Sequence, residues 1–263
     1  MNDLFAFGSA TQPLDAEERY GTTGDMKKTQ YVMQLLGSPG DADTLKCLIT
    51  AAEKGIEIES AVIDITENAQ DSEDYRVLSP FGIVPVLKEA KYICAGEPGM
   101  SVFIEGRGLG NRLAPRNAAV YAEQNYWMDV GNTEVAPHVK TLMQELVHGP
   151  MSDPSYQADA AAIEAARNAL ISPLNAIDRQ LTGKAFIVGD YSYADAHWTA
   201  YTHLLNIAGE SALIDQHRNL KSWYDRIKTH RSFSGQDVVA YDLLPTLDDI
   251  KTKKLNDVVC GEF

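Results

Sequence analysis

Apolar and polar positions change period several times between residues 31 and 78, and each change predicts a different element. Residues 31–36 form an apolar run closed by a glycine- and proline-rich turn cluster, which predicts a first strand. A helical stripe follows. Residues 56–65 then alternate imperfectly and predict a second strand, and residues 66–78 predict a short acidic helix or an irregular crossover. This order indicates a βαβ unit with a right-handed crossover.

The helix between these two strands has clear start and stop signals. Asp41 or Asp43 can cap its N-terminus, because an aspartate oxygen accepts from the free amides of a first turn. Gly55 suits the left-handed position that follows a helix. The apolar positions of this helix are Leu45, Leu48, Ile49 and Ala52. Together these signals predict a helix that ends just before Gly55.

Pro85 interrupts a short β-type run. Proline has no N–H for a sheet ladder, so it belongs at the entrance or edge of a strand. The bond before a proline is also the one where a cis peptide is cheap, about 0.5–1 kcal/mol. A cis bond at Val84-Pro85 would turn the Val84 N–H and C=O outward, where they can pair with a peptide-like ligand. A hairpin partner should follow at residues 91–94 or 100–104, and Glu105 is expected to open the next helix.

Strand signals nearly vanish after Pro115, and helical spacing takes over. Helices are predicted at residues 117–148, 156–181, 192–207 and 219–229. Pro173 should bend the second of them. The chain is therefore expected to be α/β in its first half and an all-α helical bundle in its second half.

Composition narrows the classes of function. The chain has 263 residues, 44% of them hydrophobic, and a net charge of −14. Because it has no large Lys/Arg cluster, a nucleic acid partner is not expected. No run approaches the roughly 18 apolar residues that a membrane span needs, so we expect no membrane partner. Cys47, Cys94 and Cys260 lack metal-type spacing and cannot all pair, which favours a reducing cytoplasm and no metal site.

Two segments around Pro85 carry ordered motifs. Residues 79–87 read Ser-Pro-Phe-Gly-Ile-Val-Pro-Val-Leu, and residues 103–109 contain Glu105-Gly106. They resemble the Asn-Pro-x-Gly-x-Val-Pro-x-Leu and Glu-Ser-x-Ala-Ile segments of the glutathione transferase family. In that family the Val-cis-Pro pair binds the cysteinyl part of glutathione, and the Glu-Ser pair binds its γ-glutamyl end. The resemblance therefore implies a glutathione-binding site at Val84, Pro85, Glu105 and Gly106.

A helix start in the second half supports the same resemblance. Ser192 can cap the amide three residues on, while Asp195 reaches back to the Ser192 N–H, as in a capping box. Residues 186–195 resemble the family's Gly-Asp-x-Ser-x-Ala-Asp segment, and residues 220–227 resemble its Leu-x-x-Trp-x-x-x-Ile segment. These two matches imply structure and not chemistry.

The resemblance also implies a division into domains. It spans residues 31–233, with a thioredoxin-like glutathione-binding domain expected at residues 31–114 and an all-helical domain at residues 115–233. Residues 1–30 would form an N-terminal extension, and residues 234–263 a C-terminal tail. The sequence indicates no role for either terminal segment.

The group that would activate the thiol departs from the family pattern. A forming thiolate needs a donor near the start of the first helix, where the family has Tyr, Ser or Cys. Asp41 occupies that position, and an ionised carboxylate would raise the pKa of a nearby thiol. Three alternatives stay open: Ser38 or Thr44 donates a hydroxyl, the backbone amides donate, or Asp41 merely caps the helix.

Two further features depart from the family pattern. Gly106 replaces the serine, which removes a hydroxyl but leaves a backbone N–H. Residues 93–100 replace a tight hairpin and are expected to form an exposed loop beside the cleft, able to shape or block the substrate pocket. Cys94 in this loop could form a mixed disulfide with glutathione, although a lone cysteine is more often inert.

Two functions remain compatible with these residues. The first is a cytoplasmic homodimeric transferase that transfers the glutathione thiolate to a small, largely apolar electrophile, with Ser38 as a candidate catalytic residue. The second is a non-catalytic binding, regulatory or scaffold protein with the same fold. Asp41, Gly106 and residues 93–100 favour the second function. Glutathione is the expected co-substrate in the first.

Overall fold

The computed structural model describes residues 33–63, 65 and 68–234. Four strands are present in this part of the chain: β1 (Met33–Gly37), β2 (Ile58–Val62), β3 (Val86–Glu89) and β4 (Tyr92–Ala95). The α-helices are α1 (Ala42–Lys54), α2 (Glu73–Leu78), α3 (Gly99–Arg107), α4 (Ala118–Val130), α5 (Ala136–Met143), α6 (Gly149–Ser152), α7 (Ala160–Gln180), α8 (Tyr193–Ile207), α9 (Ala212–Asp215) and α10 (Arg218–Ile227). The predicted extension at residues 1–30 and nearly all of the predicted tail lie outside the described residues.

The four strands form one mixed sheet in the order β2-β1-β3-β4. β1 and β2 are parallel, as the βαβ pattern predicts, and β3 is antiparallel to both of its neighbours. The hairpin partner is Tyr92–Ala95, which confirms the first of the two candidate segments. β2 is shorter than the predicted run of residues 56–65.

Helix α1 follows its local signals closely. Asp41 is its N-cap and accepts from the Thr44 amide, and Gly55 adopts the left-handed conformation after its end. Leu45, Leu48 and Ile49 are buried, in line with the predicted apolar positions. The predicted helix is therefore confirmed at both ends.

The prediction for the next helix was wrong. α3 begins at Gly99, so Glu105 lies in its last turn and does not open it. Residues 93–95 belong to β4, and Met100 is fully buried, so residues 93–100 are not an exposed loop. The physical reason is the spacing of Met100 and Ile104, which bury one helical face in the core and place the helix start soon after the hairpin.

The second half is all helical, as predicted. Two wide π-turns, Gly131–Val135 and Gln144–His148, join α4, α5 and α6 into one interrupted helical segment. Pro173 lies inside α7. None of the helices in the described ranges is long and apolar enough to cross a membrane.

Helix α8 forms the centre of the second half. The Ser192 N–H donates to the Asp195 carboxylate, which confirms the predicted back-reaching contact of the capping box. Trp198 is fully buried, and its indole donates to the Trp127 carbonyl at 2.9 Å. Most of α8 is inaccessible to solvent, and it packs against α1, α4 and α5. The sheet half and the helical half therefore share α8 as a common wall.

The end of the described chain is tied back to the first helix. Arg231 follows α10 and forms two hydrogen bonds with the buried Glu53 carboxylate of α1, at 2.6 and 3.2 Å. Because a buried carboxylate needs a counter-charge, this contact fixes the segment after α10 against α1, although the Arg231 side chain is itself 59% exposed.

Candidate functional site

Three segments meet at one edge of the sheet, where β1 and β4 end and β3 begins. Leu36 pairs with Val86 on one side of β3, and Val86 pairs with Ala95 on the other. Continuing both registers by two residues brings Ser38, Val84 and Glu97 side by side. The Gly96 amide donates to the Pro85 carbonyl at 3.2 Å, which continues the β3–β4 pairing in this direction. The start of α1 and the start of α3 both lie next to this row.

Val84 is a residue of the row whose backbone groups are free. The Val84-Pro85 peptide is cis, as predicted. Within the described ranges neither the Val84 N–H nor its C=O has a hydrogen-bond partner. The preceding residue is fixed: the Ile83 amide donates to the Ser79 hydroxyl at 2.8 Å, and the Tyr75 hydroxyl donates to the Ile83 carbonyl at 3.0 Å. A rigid loop thus presents one free donor and one free acceptor, as a peptide ligand requires.

Asp41 serves as the cap of α1. One carboxylate oxygen accepts from the Thr44 amide at 2.7 Å and from the Thr44 hydroxyl at 2.8 Å. Ser38 is 3% exposed, its amide donates to the Thr44 hydroxyl oxygen, and its own hydroxyl lies 3.5 Å from the Pro39 carbonyl. Both candidate hydroxyls are therefore engaged within the turn. The Ala42 and Asp43 amides have no acceptor among the described residues.

Burial changes the acidity of this cap. Desolvation raises the pKa of Asp41 to about 6, Asp43 adds to the rise, and the two Thr44 bonds oppose it. Tyr75 lies near enough that burial and the Asp41 charge together raise the pKa of Tyr75 to about 12. Since Tyr75 contacts the loop before Val84, Asp41 and that loop share one electrostatic environment.

Asp41 should therefore make stability depend on pH. Its native pKa of about 6 lies above the ordinary value near 3.9 of an unfolded chain, so this stability is present below about pH 4 and is lost as the pH rises through 6. The Asp41→Asn variant keeps a capping oxygen without the titration. From about pH 4 to about pH 7, we expect the free energy of unfolding of the wild type to fall by about 1–3 kcal/mol relative to Asp41→Asn, measured by urea unfolding. A difference that stays constant with pH would contradict this expectation.

Glu105 and Gly106 lie away from the row. They are at the C-terminal end of α3. At a rise of about 1.5 Å per residue, this is roughly 12 Å along the helix axis from residue 97. The Glu105 carboxylate accepts from the Leu113 amide and from the Tyr193 hydroxyl, both at 2.7 Å. Gly106 is exposed, with open space where a side chain would be. The predicted binding roles of both residues remain predictions, and Glu105 is already used inside the protein.

Glu97 is the acidic residue that the structure places in the row, and sequence reasoning missed it. Its side chain is 4% exposed and lies between α3 and the His197 ring of α8. The signal was available in the sequence: Glu97-Pro98 directly precedes the buried helical pair Met100 and Ile104. Reading that pair as the start of a helix would have drawn attention to Glu97.

A buried lysine, Lys46, lies in the second turn of α1. Lys46 is 1% exposed, and its ammonium contacts the Asp43 carboxylate at 2.8 Å and the Tyr201 hydroxyl at 2.7 Å. Asn132, at the first of the two π-turns, accepts from the same ammonium at 3.3 Å and from Tyr201 at 2.7 Å. This network joins α1 of the sheet half to Asn132 and Tyr201 of the helical half.

These features define a class of fold: a thioredoxin-like half with a cis-proline before its third strand, followed by an all-helical half. A family model described as glutathione S-transferase, C-terminal domain, matches residues 138–230. "Glutathione S-transferase F10" of Arabidopsis thaliana is 25% identical over 200 residues, covering 74% of this chain and 92% of that protein. The chain is thus similar to glutathione transferases both in its helical half and over most of its length.

Solved structures show the same fold. Glutathione S-transferase III in its apo form superposes with a TM-score of 0.72 at 24% identity, covering 81% of this chain and 98% of the other. Glutathione S-transferase-I, solved with the ligand lactoylglutathione, superposes with a TM-score of 0.71 at 20% identity, covering 80% and 99%. The predicted fold class, thioredoxin-like followed by all-helical, is thereby confirmed.

Proposed function

We propose that this chain binds glutathione at the row formed by Ser38, Val84 and Glu97, and transfers the glutathione thiolate to a small, largely apolar electrophile. The observation that carries the proposal is the free N–H and C=O of Val84 beside the start of α1. A cysteinyl residue can form two backbone hydrogen bonds there, as an added strand would. The similarity to glutathione transferases and the lactoylglutathione bound to a structural neighbour support the same ligand.

In the proposed reaction the protein positions the thiol and stabilises the charge of the thiolate. Val84 and Pro85 would hold the cysteinyl part so that its sulfur lies at the start of α1. There the free amides of Ala42 and Asp43 and the positive end of the helix would stabilise the thiolate. The thiol proton leaves to solvent, the sulfur forms a bond to the electrophilic carbon, and the leaving group departs with its electron pair. The helical half would supply the wall for the apolar substrate.

Binding and turnover test the proposal separately. Titration calorimetry with glutathione should give a dissociation constant at or below the millimolar range, and chlorodinitrobenzene should be conjugated by the protein. Absence of binding at millimolar glutathione would remove the proposed site. If glutathione binds but chlorodinitrobenzene is not conjugated, the binding site is established and other electrophiles should be tried. A single compound tests only whether the substrate pocket accepts that one shape.

Ser38 provides a sharp test of which group supports the sulfur. Because its hydroxyl is buried and faces the Pro39 carbonyl, we expect Ser38→Ala to lower kcat/KM by less than about threefold, with the amides of α1 as the main donors. Thr44→Val, which removes the other hydroxyl of this turn, is the matched comparison. A loss of about a hundredfold in Ser38→Ala alone would instead assign the hydroxyl of Ser38 as the donor.

The second candidate function is a non-catalytic glutathione-binding protein. One observation favours it: the residue that caps α1 is the carboxylate Asp41, the Thr44 hydroxyl donates to that carboxylate, and the Ser38 hydroxyl faces the Pro39 carbonyl at 3.5 Å. A carboxylate near the sulfur would oppose thiolate formation. Glutathione binding with no conjugation of any electrophile tested, combined with an unchanged thiol pKa of bound glutathione, would establish this function.

We also propose that the chain forms a homodimer through the loop before Val84. Phe81 is 84% exposed and Val77, on α2, is 80% exposed, while Ile83 is partly exposed beside them. Exposed apolar side chains that are close together along the chain are typical of a protein interface. Phe81→Asp is expected to reduce the mass measured by light scattering from twice 28.9 kDa to 28.9 kDa.

The control for Phe81→Asp is a substitution that places the same charge on the surface of the helical half. Ile171 on α7 is 48% exposed, so Ile171→Asp makes the same chemical change at a comparable surface position. This variant should keep the mass of the wild type. A monomeric wild type, or a dimeric Phe81→Asp variant, would contradict the proposed interface.

The domain limits and the compartment also remain proposals. We propose the thioredoxin-like domain at residues 31–114 and the helical domain at residues 115–233. Cys47 and Cys94 are both free thiols, and Cys47 is fully buried. Unpaired cysteines suit a reducing cytoplasm, which we propose as the location of the protein.

A further inference from the structure

The two carboxylate oxygens of Asp41 have different surroundings. Oδ2 accepts from the Thr44 amide at 2.7 Å and from the Thr44 hydroxyl at 2.8 Å. Oδ1 has no hydrogen-bond partner among the residues that the structure describes, and it is accessible on the partly exposed Asp41 side chain. One oxygen therefore caps α1, and the other is free to contact a ligand.

Asp41 lies next to the position proposed for the glutathione sulfur. It directly precedes Ala42 and Asp43, whose free amides would contact the thiolate. The Ser38 amide donates to the Thr44 hydroxyl oxygen at 3.2 Å, and that hydroxyl donates to Asp41. Because Ser38 belongs to the row, a single hydroxyl joins the Asp41 carboxylate to the row.

A carboxylate in this position would repel a forming thiolate, and two neighbouring acids tend to keep one proton between them. The Asp41 carboxyl is suited to hold that proton. Burial raises the pKa of Asp41 to about 6, whereas an ordinary aspartate ionises near 3.9. A carboxyl with this pKa can accept a proton close to neutral pH. The repulsion is absent if the proton moves from the sulfur to Asp41.

The charged and titratable groups around Asp41 are compatible with such a transfer. On α1, the Asp43 charge raises the pKa of Asp41 further, and the Lys46 ammonium lowers it. The pKa of Cys47 is raised by burial, so its thiol stays neutral. On α2, burial raises the pKa of Tyr75 to about 12, so its phenol also stays neutral. Asp41 is thus the group of this set that changes its charge near pH 6.

We infer that Oδ1 of Asp41 accepts the proton of the bound glutathione thiol, so that the carboxyl is neutral whenever the sulfur is a thiolate. The inference rests on the proposed glutathione site. In this step the S–H bond breaks, its electron pair stays on the sulfur, and the proton forms an O–H bond at Oδ1. The new O–H group donates to the thiolate beside the amides of Ala42 and Asp43. Once the sulfur has bonded to the electrophilic carbon, the carboxyl releases the proton to solvent.

The direct experiment follows the Asp41 carboxyl carbon by NMR in wild-type protein labelled with ¹³C-aspartate. At about pH 7 the ligand-free carboxyl should be mainly ionised, because this pH lies above its pKa. Saturating glutathione should move the signal toward the protonated form by at least about a quarter of its titration range. S-methylglutathione has no thiol proton and should leave the signal near the ionised position. An equal response to both ligands would overturn the inference.

The sulfur gives a second readout that needs no turnover. Two groups that share a proton titrate in two macroscopic steps. The ultraviolet absorbance of the bound thiolate should therefore rise in two steps with pH in the wild type, the first at or below about pH 6. Asp41→Asn keeps a capping oxygen but accepts no proton, so its thiolate should appear in one step. A single step in the wild type, above the pKa of free glutathione, would show that Asp41 stays ionised and would contradict the proton transfer.

Asp43→Asn is the matched control, because it removes a negative charge from the same turn and keeps the proton acceptor. Its thiolate should still appear in two steps. The first step should move to lower pH, since the Asp43 charge raises the pKa of Asp41. If Asp43→Asn removed the first step as Asp41→Asn does, the effect would come from charge alone and the inference would be wrong.

Calorimetry separates this inference from the proposed function. S-methylglutathione should bind the wild type, Asp41→Asn and Asp43→Asn with dissociation constants that agree within about threefold, which shows that the site is intact. If glutathione binds but the carboxyl signal does not move, the inference fails and the glutathione site stands. If neither ligand binds at millimolar concentration, the proposed function fails and the inference fails with it. The wild-type measurements do not depend on whether either variant folds.

Discussion

Replacing Asp195 with alanine is expected to lower the free energy of unfolding by about 3–5 kcal/mol. Asp195 is fully buried, and its carboxylate accepts from the Ile187 amide at 3.0 Å, the Ser192 amide at 3.0 Å and the Trp223 indole at 2.9 Å. Alanine would leave these donors buried without an acceptor. Urea unfolding followed by tryptophan fluorescence measures the loss.

The control for Asp195 lies in the loop just before α8. Asp190 is exposed, and Asp190→Ala should change the free energy of unfolding by no more than about 0.5 kcal/mol. Asp195→Asn, which keeps one acceptor oxygen, should fall between the two. A loss below about 1 kcal/mol in Asp195→Ala would show that water replaces the carboxylate, contrary to the dry packing around the start of α8.

The second large effect is expected from Lys46→Met, which should lower the free energy of unfolding by about 2–4 kcal/mol. Methionine is close to lysine in volume, so the change removes the charge and the donors while filling the space. The Asp43 carboxylate and the Tyr201 hydroxyl would lose their common partner. Because the ammonium bridges α1 and α8, the loss should appear as weaker association of the two halves.

Two comparison variants isolate this contribution. Lys88→Met makes the same change at an exposed position of β3 and should cost no more than about 0.5 kcal/mol. Tyr201→Phe removes one of the three partners of Lys46 and should cost about 1–2 kcal/mol. Equal effects for the two lysine substitutions would contradict a special role for the buried ammonium.

Features determined by neighbouring residues could be predicted from the sequence. The cap at Asp41, the left-handed Gly55 and the cis bond before Pro85 all follow from local chemistry, and the structure contains all three. The capping contact between Ser192 and Asp195 belongs to the same group. In each case the decisive partner lies within a few residues along the chain, so the sequence shows both members of the interaction.

Features determined by distant residues could not be predicted in this way. Glu97 and His197 are far apart along the chain, and nothing in either local sequence indicates the other. Lys46 and Tyr201 are separated similarly. The wrong start predicted for α3 had a different cause. Glu105-Gly106 resembled a binding motif more closely than Glu97-Pro98 did, and that resemblance set the predicted start. The apolar spacing of Met100 and Ile104 indicated the earlier start.

The contact between Arg231 and Glu53 bears on how the protein can be shortened. A chain cut after α10 would keep every described helix and strand, yet it would leave the Glu53 carboxylate sealed in the interior with no positive partner. Such a fragment should aggregate or unfold at lower temperature than one that continues through Phe233, which is itself buried. The smallest independently folding piece therefore extends beyond the last helix.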